Sequence, residues 1–397
     1  MSGAACSVRF VESAGAIDPA LWSACFPPPL EGLWWYETLE QSGLEDQFRF
    51  LYAVLEINGR AAGIAPAFLM RFPVSLLAPP GLLPVLGWLG RVAPSIAFPH
   101  TLFIGSPCAD EGTVGMLPGT DRKQALSALQ RAFAAKAREA DAALVVWKDF
   151  PDGSGPYLES LARETGLFRV TSFPGTVAEL PPGGRDAYLA SLKGSRRHQY
   201  TKTLRRSRAA ADLSSVVVHL PDAATLDELF ALFWQTYEKA TTRFETLNRE
   251  FFSRIAMQPV SHFVVLREKA TGRAVAFMLC FDMGGRVINK FIGIDYARPK
   301  DWMLYFRLWD AAVDFTFARG ARSIQSGQTG YAPKIETGHR LVPLTNYCAH
   351  RNRVVHAIAS RFARDISWAT LDDALERFVA AHPGAAAQAA RATPSRD

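Results

Sequence analysis

The residues best suited to chemistry lie in the C-terminal part of the chain. Asp295 closes an apolar run from Val287, and the loop after it reads Tyr296-Ala297-Arg298-Pro299-Lys300-Asp301. An aspartate at a strand end can act as a base or relay a proton through water; its ordinary alternative is to cap the next turn. Tyr296 is a phenol able to give a proton to a leaving group, and Arg298 and Lys300 are point charges for phosphate. Further on runs Gly327-Gln328-Thr329-Gly330-Tyr331-Ala332-Pro333-Lys334, where Lys334 stands alone and the nearest acid is Glu336. Such a lysine can neutralise a phosphate or an oxyanion, Gln328 can donate to a carbonyl, and Tyr331 is a second proton donor. Lys290 alternates with apolar neighbours on its strand, so it either reaches a cleft or faces solvent.

Charge points to a second element. The 397 residues carry 44 Lys and Arg against 38 Asp and Glu, a net +6. Between Pro182 and Ala211 lie eight basic residues and one acid, Asp186, which leaves the rest of the chain near neutral. As a helix this stretch spreads its charge around much of its circumference. Arg196, Arg197 and Arg205 are its candidate anion contacts. Three partners fit: an RNA backbone, the acidic face of a carrier protein, or the 3′-phosphate of a nucleotide thioester. A merely solvated helix would carry acids for i,i+4 pairing, and this one has almost none.

Several chemistries are excluded by pattern. The eight histidines include no H-x-x-x-H or H-E-x-x-H, so no metal site is expected. There is no G-x-S-x-G, no Walker loop and no dinucleotide fingerprint after a strand. The five cysteines are scattered without a C-x-x-C, which suits a reducing compartment. MSGAACSVRFVE has no basic start followed by an apolar stretch, and the expectation is a cytoplasmic protein without a transmembrane segment. The uncharged stretch Phe72–Gly90 carries four prolines and reads as buried coil, with an acyl tunnel as its functional alternative.

These side chains need a scaffold, and the chain offers one twice. Strands are expected over Phe48–Ile57 and Ala61–Met70, joined at Asn58-Gly59, then a helix over Arg122–Ala140 and a strand over Ala143–Trp147. The second half repeats this. Helices are expected over Leu226–Ala240 and Arg249–Met257, and strands over His262–Arg267, Ala274–Asp282 and Val287–Asp295. A helix over Trp302–Arg319, stopped by Gly320, leads to a strand over Arg322–Ser326. A Gly-rich loop then runs to a last strand near Tyr347. The expected domains are 1–175 and 176–380, with a basic entry helix over 187–210 and a flexible tail over 381–397.

Three antiparallel strands, a crossover helix and a further strand is the core order of the GNAT acyltransferase fold. The chain resembles its BioF2-like and FemAB-like (peptidoglycan-bridge) branch. The likeness rests on Ser191-Leu-Lys-Gly-Ser-Arg196-Arg197 with Leu204-Arg205-Arg206, on Gly293-Ile-Asp295-Tyr-Ala-Arg298, and on Gly327-Gln328 through Lys334 with Gly338 and Ala349-His350. It implies an α/β fold: a tandem of two GNAT-like units, each a mostly antiparallel mixed sheet flanked by helices, the first degenerate. It also implies transfer of an acyl group to an amine of a small molecule or amino acid. The donor would be a thioester of CoA or a carrier protein, or aminoacyl-tRNA as in the bridge-forming branch, with no permanently bound cofactor. On this resemblance Asp295, Lys334 and Tyr331 are catalytic, Gln328, Tyr296 and Lys290 bind substrate, and Arg196, Arg197, Arg205, Arg298 and Lys300 bind donor phosphate. Expected partners are the amine, and tRNA or an acyl carrier protein at the basic helix, but not DNA. A non-catalytic module holding RNA or an acidic partner is the competing class.

The chain departs from the family in two places. Pro333 stands where the bridge-forming branch often has an aromatic residue. The glycine turn that cradles CoA pyrophosphate, R/Q-x-x-G-x-G/A, is missing after Asp295. Its single match, Arg60-Ala-Ala-Gly63-Ile-Ala65, sits in the hairpin with no helix after it.

Overall fold

The computed structural model describes residues 5–73, 91, 97–151, 155–240, 245–382 and 384. The expectations for 74–90 and for most of the tail therefore lie outside the described residues. Seven strands come first: β1 (Cys6–Val11), β2 (Arg49–Ile57), β3 (Arg60–Arg71), β4 (His100–Ile104), β5 (Gly115–Met116), β6 (Leu144–Pro151) and β7 (Phe168–Thr171). Helix α1 (Arg122–Glu139) precedes β6. Asp121 caps it through its side chain, and Lys136 and Arg138 in its last turn suit its dipole. Asn58 and Gly59, both at positive φ, make the tight turn of the β2–β3 hairpin. The one match to the pyrophosphate turn thus lies within β3.

The second set opens with β8 (Gly175–Glu179), then α2 (Gly184–Ser191) and α3 (Gly194–Ala210), which split the single basic helix expected over 187–210. The break falls at Leu192, whose extended backbone (ψ 139°) cannot continue a helix. Next come β9 (Leu213–Val218), α4 (Ala223–Lys239), α5 (Arg249–Ala256), β10 (Ser261–Glu268), β11 (Ala274–Asp282) and β12 (Arg286–Ile294). Then follow α6 (Leu304–Ala318), β13 (Ser323–Ser326), α7 (Tyr331–Glu336), β14 (Arg340–Val342), β15 (Leu344–His350) and α8 (Arg353–Ala363).

Two mixed sheets result. The first runs β1-β2-β3-β4-β6-β15-β7 with β5 on β3; the second runs β14-β8-β13-β12-β11-β10-β9. In each, one pair is parallel, β4 with β6 and β12 with β13. Each parallel pair is bridged by a helix, α1 or α6, as such a crossover requires. The expected tandem architecture is therefore present.

The division of the chain needs correction. One unit comprises 1–27, 44–174 and 343–397, the other 28–43 and 175–342. The strand near Tyr347 was expected to end the second unit, yet β15 pairs with β6 and β7 of the first sheet. The reason is edge occupancy: β8, at the expected boundary between the domains, already covers the far side of β13. Each unit has its own core. Leu129, Phe133 and Trp147 are fully buried in the first, and Met278, Leu308 and Ala312 in the second. Among the described residues no helix is long and apolar enough to cross a membrane.

Candidate active site

The parallel ladder of the second unit ends where Asn289 pairs with Ser326. Beyond that point β12 and β13 part, and the fork between them is lined by side chains rather than backbone. Thr329 and Gly330, at φ 67° and 61°, reverse the chain into α7. That reversal carries Lys334 back to the end of β13, where its Nζ donates to the carbonyls of Gly327 (2.7 Å) and Ser326 (3.2 Å). Thr176 on β8 also donates to both carbonyls. Lys334 is 8% exposed, so its charge is kept by these oxygens rather than by water. The loop expected around it is therefore a short helix, started by Tyr331, which is buried.

His339 completes the cluster. Its Nδ1 lies 2.9 Å from the Lys334 carbonyl and its Nε2 lies 3.2 Å from Ser326 Oγ. The carbonyl can only accept, so Nδ1 carries the proton and Nε2 accepts from Ser326. Asn289 Nδ2 donates to the same hydroxyl at 3.4 Å. Burial, reinforced by the Lys334 charge, pushes the imidazole down to about 3, so it is neutral at physiological pH. Its ring lies 4.5 Å from that of Trp309 on α6.

The basic helix is anchored beside this cluster by one carboxylate. Asp310 accepts from Arg185, from Arg208 (3.2 Å) and from the Tyr200 hydroxyl (3.1 Å). Burial, then the Asp310 charge, holds the Tyr200 phenol well above its ordinary range. A pocket of ≈ 190 Å³ is lined by Ser195, Arg196, Gln199, Tyr200, Phe306 and Glu336. Arg196 thus faces a concave site that also presents Glu336, two residues past Lys334. Arg197 and Arg205 are exposed, as are Lys202 and Arg206, and none has an ion pair among the described residues.

The other expected site residues are placed elsewhere. Asp295 accepts from the Ala297 amide (3.0 Å) and from Arg298 Nε (2.9 Å), the turn-capping alternative. It lies six residues past Asn289, roughly 20 Å along an extended strand, so it does not share a site with Lys334. Arg298 also pairs with Glu268 (3.3 Å) and lies over the Trp302 ring, which removes it as a free phosphate contact. Tyr296 is exposed with Lys239 4.0 Å above its ring, and Lys300 is exposed in a 3₁₀ turn. Lys290 does not face solvent. It is the extra residue of a bulge between β11 and β12, its side chain 1% exposed, paired with Glu31 at 2.6 Å and 4.8 Å from the Trp35 ring. That buried pair ties 28–43 to the second sheet. Gln328 is half-buried beyond the fork.

His339, Ser326, Asn289 and Thr176 were not singled out from sequence. Among the described residues no group of three or more His, Cys, Asp or Glu could hold a metal ion.

Residues 194–333 match the family model described as an acetyltransferase (GNAT) domain. The matched residues all lie within the second unit. Among solved structures the chain is similar to FemX at 11% identity, over 89% of this chain and 100% of that one, with a TM-score of 0.58. L-PGS from Bacillus licheniformis matches at 12% identity over 82% and 94% of the two chains, TM-score 0.50. A tandem GNAT protein from the clavulanic acid biosynthesis pathway matches at 13% over 87% and 99%, TM-score 0.50. At such identities the likeness is one of fold alone: the chain has the fold of FemX and of the tandem GNAT protein. A comparison with curated proteins found no match.

Proposed function

We propose that the second GNAT unit is an aminoacyltransferase, joining an amine to an aminoacyl group delivered as an RNA ester. The attacking nitrogen forms the new amide bond, the ester C–O bond breaks, and the proton lost by the amine balances the one gained by the leaving 3′-hydroxyl. Lys334 supplies positive charge at the fork, where the carbonyl oxygen becomes an oxyanion. Arg196 and Glu336 offer the pocket one cation and one anion, a set suited to a zwitterionic or phosphate-bearing substrate.

One observation carries the choice of donor. Four amides of the loop that would hold CoA pyrophosphate are spent on the loop itself. Ala297 and Arg298 donate to Asp295, Trp302 to Pro299, and Met303 to Lys300. Its arginine is held by two carboxylates. Meanwhile Arg197, Lys202, Arg205 and Arg206 are exposed with no ion pair among the described residues, and phosphate backbone is a partner such a basic surface suits. The resemblance to FemAB-like proteins implies the same donor.

The test is product formation from a mixed pool of charged tRNA and candidate amines, with and without ribonuclease. A new amide that disappears on ribonuclease treatment is expected. Turnover of acetyl- or octanoyl-CoA, indifferent to ribonuclease, would replace the RNA ester by the thioester donor.

A further inference from the structure

The first unit exposes an apolar stripe that the proposed chemistry does not use. On α8, Val354 is 67% exposed, Val355 43%, Ile358 52% and Phe362 46%. At 3.6 residues per turn these four fall within about 100° of arc. The helix is held by another side: Ala363 is buried, and the His356 ring meets Phe168 at 5.0 Å. Asn352 caps the helix through its side chain, accepting from Val354 and Val355. The stripe is therefore displayed by an ordered, capped helix.

A third side is basic. Arg353, Arg361 and Arg364 fall within about 80° of one another on the same wheel. From His350 to Arg364 the sequence has four arginines and no acid. Arg361 reaches Asp365 at 3.4 Å with both side chains exposed, while Arg353 and Arg364 have no ion pair among the described residues. An apolar face bordered by cations is the pattern of a helix lying in a membrane interface. There the apolar arc enters the acyl boundary, and the long basic side chains reach up to the headgroups. A second copy of the chain would instead bring another row of arginines, with no acid on this segment to balance it.

We propose that α8 docks the protein on an anionic lipid surface. The occupant is the membrane interface itself, recognised by apolar area and headgroup charge. This does not depend on the donor or acceptor of the transfer reaction.

The experiment is co-sedimentation of the full chain with vesicles of phosphatidylcholine, alone or mixed with phosphatidylglycerol, at low and high salt. Binding to the mixed vesicles, weakened by salt, is expected. Ile358→Glu with Phe362→Glu, at exposed positions, should abolish it. Arg353→Gln with Arg364→Gln should weaken it roughly thirtyfold, two juxtamembrane charges' worth. An unchanged melting temperature in both variants excludes misfolding. No binding by the wild type, equal binding to both vesicle types, or full binding by the Glu variant would overturn the proposal. So would a stable dimer that dissociates only in the Glu variant and ignores vesicles.

Discussion

The two units share the strand order of their sheets, and they part in chemistry at the fork of the parallel pair. In the first unit the ladder ends at Ile104 and Trp147, and β6 then bulges at Lys148-Asp149. There one backbone bond and several side chains close on Asp149. The Gly112 amide donates to the Asp149 carbonyl (2.8 Å), and Asn346 takes the Asp149 amide (2.7 Å). Lys148 and Ser172 both donate to the Asp149 carboxylate, and Lys148 reaches the Ala109 carbonyl at 3.5 Å. In the second unit the carbonyls at the ladder's end, of Ser326 and Gly327, are held by the Lys334 and Thr176 side chains. The segment that returns to the fork decides whether it is closed around the Asp149 carboxylate or lined by an ammonium, an imidazole and a hydroxyl.

That comparison breaks most sharply at the two lysines. Lys334→Met should lower turnover at least about a hundredfold, the scale of losing one oxyanion contact, whereas Lys148→Met should leave turnover of the folded enzyme unchanged. Steady-state rates on the two variants decide it, and equal losses would make the forks equivalent.

Gly112 tests the seal. A Cβ there would stand 2.1 Å from the Lys148 carbonyl oxygen, against backbone that cannot swing aside. Gly112→Ala is expected to cost about 2–4 kcal/mol of stability, read by urea unfolding, with the turnover of folded molecules preserved.

The basic helix belongs to the second unit alone. Reversing Arg205 and Arg206 to Glu should raise the apparent KM for charged tRNA at least about tenfold and flatten its salt dependence. An unaltered salt slope would remove α3 from the donor site.

The last effect is on pH. His339 is held down to about 3 from its ordinary 6.5, so below pH 6.5 the unfolded chain takes up a proton that the folded chain refuses. Its contribution to stability is complete above pH 6.5 and fades as pH falls towards 3, at up to about 1.4 kcal/mol per pH unit. His339→Gln should flatten that part of the curve in urea titrations at pH 7, 6, 5 and 4. A slope identical to wild type would assign the acid sensitivity elsewhere.

Much of this scaffold was readable from local pattern. Asn58-Gly59 announced its hairpin, and Ala274–Asp282 came out at its observed bounds, because turn chemistry and apolar runs are local signals. What local pattern could not show was partnership. β8 is a five-residue strand between prolines, and only its pairing with β13 and β14 makes it one. Lys290 looked alternating and half-exposed because Glu31, its partner, is 259 residues away in sequence. Lys334 was visible as a lone cation among glycines. His339 was not: its meaning comes from Ser326 and Trp309, which no spacing connects to it. Asp295 was placed by its strand-end position, and the same position made it a cap.

The measurement that tests the functional claim most directly is calorimetric titration of the full chain with acetyl-CoA at low salt. With four of the amides after Asp295 spent within the loop and Arg298 held by two carboxylates, no binding is expected up to millimolar ligand. Micromolar binding would contradict the account and return the donor to a thioester.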